Sequence, residues 1–172
     1  NRWGRVIVTL DAHKDMAMPP LPRLGIMLPV ERSMRHVTYY GYGPDESYID
    51  KREHCYVDMF QAEVEDLHEN YIRPQENGSH YHCRYVSLEN EKYRLLAEAD
   101  NYLDFNVSDY TVEELAGKRH NFELEPASGS LLSLDARMMG IGSNSCGPDL
   151  PEEFLRDEAH TVWKVQLQIE EL

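Results

Sequence analysis

Two runs of strict alternation near the end of the chain restrict its fold more than any other feature. Residues 130–138 set Leu132, Leu134, Ala136 and Met138 on one face against Ser133, Asp135 and Arg137 on the other. Residues 160–169 set Trp163, Val165, Leu167 and Ile169 against Lys164, Gln166 and Gln168. A period of two is the pattern of a half-buried strand and builds no helical stripe. Each run therefore needs partner strands and an apolar layer to cover it. Between them, Met138-Met139-Gly140-Ile141-Gly142-Ser143-Asn144-Ser145-Cys146-Gly147-Pro148-Asp149-Leu150 breaks the alternation with three glycines and a proline. Such a backbone reaches positive φ and can approach a ligand closely. The plain alternative is a long connection with turn chemistry and no task.

The rest of the chain repeats the strand signal. Residues 5–10, 24–30, 36–42, 80–88, 93–98 and 102–107 read as strands, and residues 121–125 resume that character. Pro19-Pro20-Leu21-Pro22 cannot sit in a central strand and reads as a linker or an edge. Residues 48–70 are acidic and weakly patterned, as compatible with a short helix or an exposed excursion as with a strand. Asn77-Gly78 is a turn signal. The one clear helical signal spans residues 108–118, where Thr111-Val112-Glu113-Glu114 has capping-box form. Many short strands and one small helix predict an all-β, antiparallel β-sandwich.

With 172 residues the chain is long enough for one domain with a real core. Its formal net charge of −14 repels phosphate backbones and argues against nucleic acid as a partner. It has no apolar run long enough to span a bilayer, so no membrane is expected. Three cysteines, Cys55, Cys83 and Cys146, are an odd, scattered set that fits a reducing compartment, and a cytoplasmic location is the expectation. The start at Asn1-Arg2-Trp3-Gly4 carries no leader pattern and fits a piece of something longer.

Candidate chemistry is sparse. His80-Tyr81-His82-Cys83 has the composition of a metal site, and on a regular strand the two histidines face one way and Cys83 the other. Structural-zinc spacing is missing, so strand histidines are the simpler reading, and no metal site is assigned. Glycoside chemistry needs two carboxyls on either side of the scissile bond, about 5 to 9 Å apart. Glu76, Asp45 and Glu46 lie in turn-like regions, where solvated charge is the simpler reading. No nucleophile elbow, phosphate loop or dinucleotide fingerprint occurs.

Four separated stretches carry a resemblance. Leu21-Pro22-Arg23-Leu24-Gly25-Ile26, Tyr40-Gly41-Tyr42-Gly43-Pro44-Asp45-Glu46-Ser47-Tyr48, Arg73-Pro74-Gln75-Glu76-Asn77-Gly78, and Met139-Gly140-Ile141-Gly142 with Pro148 following resemble, in order, the C-terminal domain of the glycoside hydrolase family 2 β-galactosidases. The resemblance implies that residues 1–172 are the C-terminal part of the family's last domain, a supersandwich similar to galactose mutarotases. It implies a non-catalytic role that completes the rim of the galactose pocket and supports assembly. The family's catalytic glutamates and its Mg and Na ligands lie in a separate barrel absent here, so no catalytic residue and no cofactor is expected in this chain. The partners it implies are that barrel, a β-galactoside such as lactose, and further copies of the parent in a homo-oligomer. The loop at residues 143–148 maps to the pocket rim, which makes Asn144, Ser145 and Cys146 the candidate substrate-binding residues. Cys146 stands where some members carry a sugar-stacking tryptophan. Two other readings stand beside this one: a free-standing carbohydrate-binding module, and a mutarotase-like aldose epimerase using His80, His82 and Glu76.

Overall fold

The longest strand organises the molecule. A computed structural model of the chain describes residues 4–142 and 149–172. Its strands are β1 (Arg5–His13), β2 (Arg23–Val30), β3 (His36–Gly43), β4 (Tyr56–Glu63), β5 (Ser79–Glu89), β6 (Tyr93–Ser108), β7 (Ser130–Met138) and β8 (His160–Glu171). All pair antiparallel in one eight-stranded sheet, with the order β1-β8-β6-β5-β3-β4 and with β2-β7 joined to β6 as a second limb. One edge of β6 is shared out along its length. Residues 93–99 pair with β8 and residues 104–108 pair with β7, while β5 runs along the opposite edge.

Both limbs place their apolar residues on the same face. Val86 opposes Ala97 and Leu88 opposes Leu95 across β5 and β6, Phe105 opposes Leu134 across β6 and β7, and Val165 opposes Ala99 across β6 and β8. Val37, Tyr39, Val86, Leu88, Phe105, Leu132, Leu134, Trp163 and Val165 join in one buried cluster. The fold is thus all-β and antiparallel, as the alternation predicts, with its core enclosed as in a sandwich. The single α-helix, α1 (Val112–Gly117), is capped by Thr111, whose side chain accepts a hydrogen bond from the Glu114 N–H at 3.0 Å. The reciprocal bond of a capping box is not made, because Glu114 instead accepts from the Glu125 N–H at 2.8 Å.

Four expectations change. Residues 93–98 and 102–107 are one continuous strand of 16 residues, because pairing on both edges outweighs the local turn propensity of Asp100 and Asn101. β4 emerges from the weakly patterned stretch; it is an edge strand with mostly exposed side chains, so burial imposes no alternation on it. Residues 121–125 form no strand; Asn121–Glu123 is a single 3₁₀ turn with Phe122 exposed. β7 is buried on both faces, since Ser133 and Asp135 are 4% and 2% exposed.

The face carried by β8 is also graded. Trp163 and Val165 are buried, whereas Ile169 is 53% exposed. The Trp163 indole N–H donates to the Tyr102 carbonyl at 3.3 Å, so the side chain is anchored by both packing and a hydrogen bond. Trp163→Ala is expected to cost about 3–5 kcal/mol and Ile169→Ala about 0.5 kcal/mol or less, read from denaturant midpoints at constant m-value. Equal costs for the two would refute the graded burial of this face.

Candidate functional site

The second face of β6 and β7 is covered by long connections, and the polar residues on it build a floor. Asp104, Asn106, Ser133 and Asp135 are all buried. Each carboxylate there is satisfied, as burial requires. Asp104 accepts from the His82 N–H at 2.7 Å and from the Met138 N–H at 2.9 Å. Asp135 is held by the Arg23 guanidinium, which donates to both its oxygens and also to Glu76 at 3.4 Å. Burial raises the carboxyls of Glu76 and Asp135 above the usual range, and the Arg23 charge opposes that rise.

Beside this floor lies a second buried carboxylate, Glu46, at 4% exposure. It accepts from the Gly78 N–H at 2.7 Å, from Lys51 and from the Tyr71 hydroxyl, and Lys51 in turn donates to the Tyr71 oxygen at 2.8 Å. Gly78 sits at φ +70°, and a Cβ there would fall 2.3 Å from the Leu67 carbonyl, so the Asn77-Gly78 turn admits only glycine. Expecting Glu46 to be solvated charge was therefore incorrect. Lys51 nearby and two donors from distant parts of the chain, Tyr71 and Gly78, offset its desolvation, and the distant pair is not encoded in the local sequence.

A cavity of about 720 Å³ opens above these groups. Its wall is formed by Pro22, Lys51, Tyr71, Gln75 and Glu76 together with residues 138–142. Residues from three of the four family-like stretches thus meet at one place, and the fourth supplies Glu46 beneath it. The wall leads directly into the glycine-rich loop, and the described foot of that loop is pinned at four backbone N–H groups. Met139 donates to the Pro22 carbonyl at 3.0 Å and Gly140 to the Phe154 carbonyl at 2.9 Å. Ile141 and Gly142 donate to the two Asp50 oxygens at 3.2 and 2.8 Å. A Cβ on Gly140 would lie 2.6 Å from the Asp50 carboxylate, so glycine lets the backbone settle onto it. Lys51 keeps one N–H beyond those given to Glu46 and Tyr71, a donor suited to hydroxyl-bearing ligands or to loop backbone.

Asn144, Ser145 and Cys146 lie outside the described residues; their upstream neighbours line the cavity. The trio considered for epimerase chemistry is dispersed. Glu76 lines this cavity, His82 lines another beside Trp163, and His80 is core, 1% exposed and stacked on Phe105 with ring centroids 4.9 Å apart. The regular-strand expectation for His80, His82 and Cys83 also fails. His82 takes φ +58° at register shifts on either side of Cys83, which turns Cys83 into the core with His80. Asp50, Lys51 and Tyr71 were not singled out by sequence reasoning. They fall in weakly patterned segments, and only the Gly140-Ile141-Gly142 spacing hints that a partner must pack closely there.

Asp50→Ala is expected to free the Ile141 and Gly142 amides, so that hydrogen exchange at residues 139–142 speeds up while exchange in β7 is unchanged. Equal protection in wild type and variant would dismiss Asp50 as the anchor. Stability should also show two opposed pH dependences. Burial pushes His80 down to about 4 and Asp104 up to about 6. Between those values the unfolded chain protonates His80 and the folded one does not, so its contribution is lost as pH falls from 6.5 toward 4. Asp104 takes up its proton in the folded state first, so its contribution grows as pH falls from 6 toward 4. In Asp104→Asn the second slope is absent, and relative to wild type the variant should lose about 1.4 kcal/mol per pH unit on acidification across that window, measured by denaturant unfolding at each pH. A pH-independent difference would contradict the assignment to Asp104.

Cys55 and Cys83 are free thiols, and among the described residues no helix is long and apolar enough to cross a membrane. The family model of the β-galactosidase small chain matches residues 1–168. A β-galactosidase of Actinobacillus pleuropneumoniae is 40% identical over 151 residues, covering 88% of this chain and 15% of that protein. One of Staphylococcus xylosus is 38% identical over 167 residues, covering 97% of this chain and 17% of that protein. One of Arthrobacter sp. is 34% identical over 167 residues, covering 93% and 16%. The chain spans 15–17% of the length of these curated relatives. With a family match that runs nearly end to end, this chain belongs to the β-galactosidase small-chain family.

Proposed function

We propose that this chain is the non-catalytic C-terminal domain of a glycoside hydrolase family 2 β-galactosidase, and that it completes the rim of the galactose pocket with residues 143–148. The parent hydrolyses terminal β-D-galactosides such as lactose with retention, through a covalent galactosyl-enzyme formed on carboxylates of its barrel. One observation carries the reading: the family-like stretches converge on a cavity whose wall is the pinned foot of the loop, Gly140 to Gly142 on Asp50. The foot of the loop, Gly140 to Gly142, is positioned before substrate arrives, which lowers the ordering cost of binding there.

No catalytic role falls to this chain. Its buried carboxylates are already engaged by Arg23, by Lys51, by Tyr71 and by backbone N–H groups. That is also a poor donor set for a hard cation, so Mg and Na are assigned to residues of the parent's barrel. Asn144 and Ser145 supply polar contacts at the rim. Cys146 shapes the outer subsite by packing; it has no flat π-face, so stacking worth about 1 kcal/mol in a tryptophan-bearing relative is missing here. The parent works as a cytoplasmic homo-oligomer.

The test is hydrolysis of a chromogenic β-galactoside by the natural parent, intact and cut just before Asn1, with residues 1–172 assayed alone and added back. Turnover by the intact form, none by the isolated chain, and recovery on add-back are expected. Turnover by residues 1–172 alone, or no loss on cutting, overturns the proposal.

A further inference from the structure

We propose that Asp11, His13 and His160 form a binding site for one divalent cation of the zinc class. The three side chains stand at the open end of the β1–β8 ribbon, away from the cavity described above. His13 and His160 are directly opposed in the register, and Asp11 lies two residues before His13 on the same face. The imidazole rings are stacked, 7° from parallel with centroids 4.0 Å apart. One carboxylate oxygen of Asp11 lies 2.8 Å from the His160 Nε2 and 3.7 Å from the His13 Nε2.

The spacing fits a shared metal. Ligands bound at about 2.0–2.1 Å sit about 2.9 Å apart at right angles and about 3.4 Å apart in a tetrahedron. The two observed separations bracket those values, and one ligand atom from each residue lies within 4.8 Å of the others. Two imidazoles and one carboxylate select zinc, copper or nickel over magnesium and calcium. The side chains of His13, Asp11 and His160 are 75%, 62% and 47% exposed, which leaves outer coordination positions for water or a further donor.

The frame is stiff. Nine register pairs join β1 to β8, and beyond the last of them the Lys14 N–H donates to the Ala159 carbonyl at 2.9 Å. Lys14 also pairs with Asp157 across the same end. Parallel stacked rings do not both point a lone pair at one ion, so binding requires the exposed His13 and His160 side chains to rotate out of the stack while the strands beneath them stay in register. On binding, the cation takes the place of the hydrogen between the His160 Nε2 and Asp11, and the neutral ring carries its N–H on Nδ1 instead.

The experiment is calorimetric titration of Zn²⁺ into the natural full-length protein, wild type against His13→Ala, His160→Ala and the isosteric Asp11→Asn. His120→Ala, at an exposed histidine elsewhere, is the control. Outer-sphere partners alone change metal affinity about 10–100-fold, so loss of a ligand should weaken this site about tenfold or more. Wild type and His120→Ala should share one zinc equivalent per chain that millimolar Mg²⁺ does not displace and that His13→Ala and His160→Ala lose. Cu²⁺ loaded at one equivalent should show two coupled imidazole nitrogens in the electron paramagnetic resonance spectrum of wild type and one in His13→Ala. Equal zinc stoichiometry and affinity in wild type and the two histidine variants, or an unchanged copper spectrum in His13→Ala, overturns the site.

Discussion

The division of one edge of β6 between two partners is the constraint on which the rest of the molecule depends. A strand of 16 residues is long enough to serve β8 with its first half and β7 with its second. Because both partners meet the same edge, their apolar faces fall on the same side and close over one core. Regular alternation holds each contact in register, since a slip of one residue would turn the whole apolar set outward. The β5 side absorbs the mismatch. Its register shifts around Cys83 coincide with the left-handed His82, and the cost of that conformation is set against two buried side chains, His80 and Cys83, entering the core.

The opposite face of the same strands has a different chemistry. Asp104, Asn106, Ser133 and Asp135 are buried there, and their partners come from residues far away in the chain: Arg23, Asn77, and the amides of His82 and Met138. A polar layer of this kind is costly if any member is left alone, so it locks the connections that cover it into one arrangement. The connections are those that bring Pro22, Lys51, Tyr71, Glu76 and residues 138–142 around the cavity. The sandwich thereby acts on the loop through the floor. Its β-ladder sets where β7 ends, and Asp50 with Phe154 sets where the next four residues go.

This division of labour accords with a chain that is a minor fraction of its relatives. On the proposed reading, a domain that lends one loop to a shared pocket would need a foundation that does not move rather than a catalytic group of its own. The buried carboxylates Glu46, Asp104 and Asp135 meet that need, each being held by hydrogen bonds to the scaffold.

Residues whose environment is set by their immediate neighbours were legible in the sequence. The strand character of β7 and β8, the left-handed Gly78 of Asn77-Gly78 and the Thr111 cap appear as expected, because backbone sterics and side-chain period act over a few residues. The resemblance of four stretches to a known family was legible as well. Their convergence was not. Tertiary structure alone decided that residues 93–108 run as one strand, that β4 exists on an edge with little burial, and that Glu46 is buried. It alone placed Asp50 under Gly140 and His13 opposite His160. In each of these cases the stabilising partner is distant in sequence, and hydrogen bonds or register between remote segments leave no periodic trace in either one.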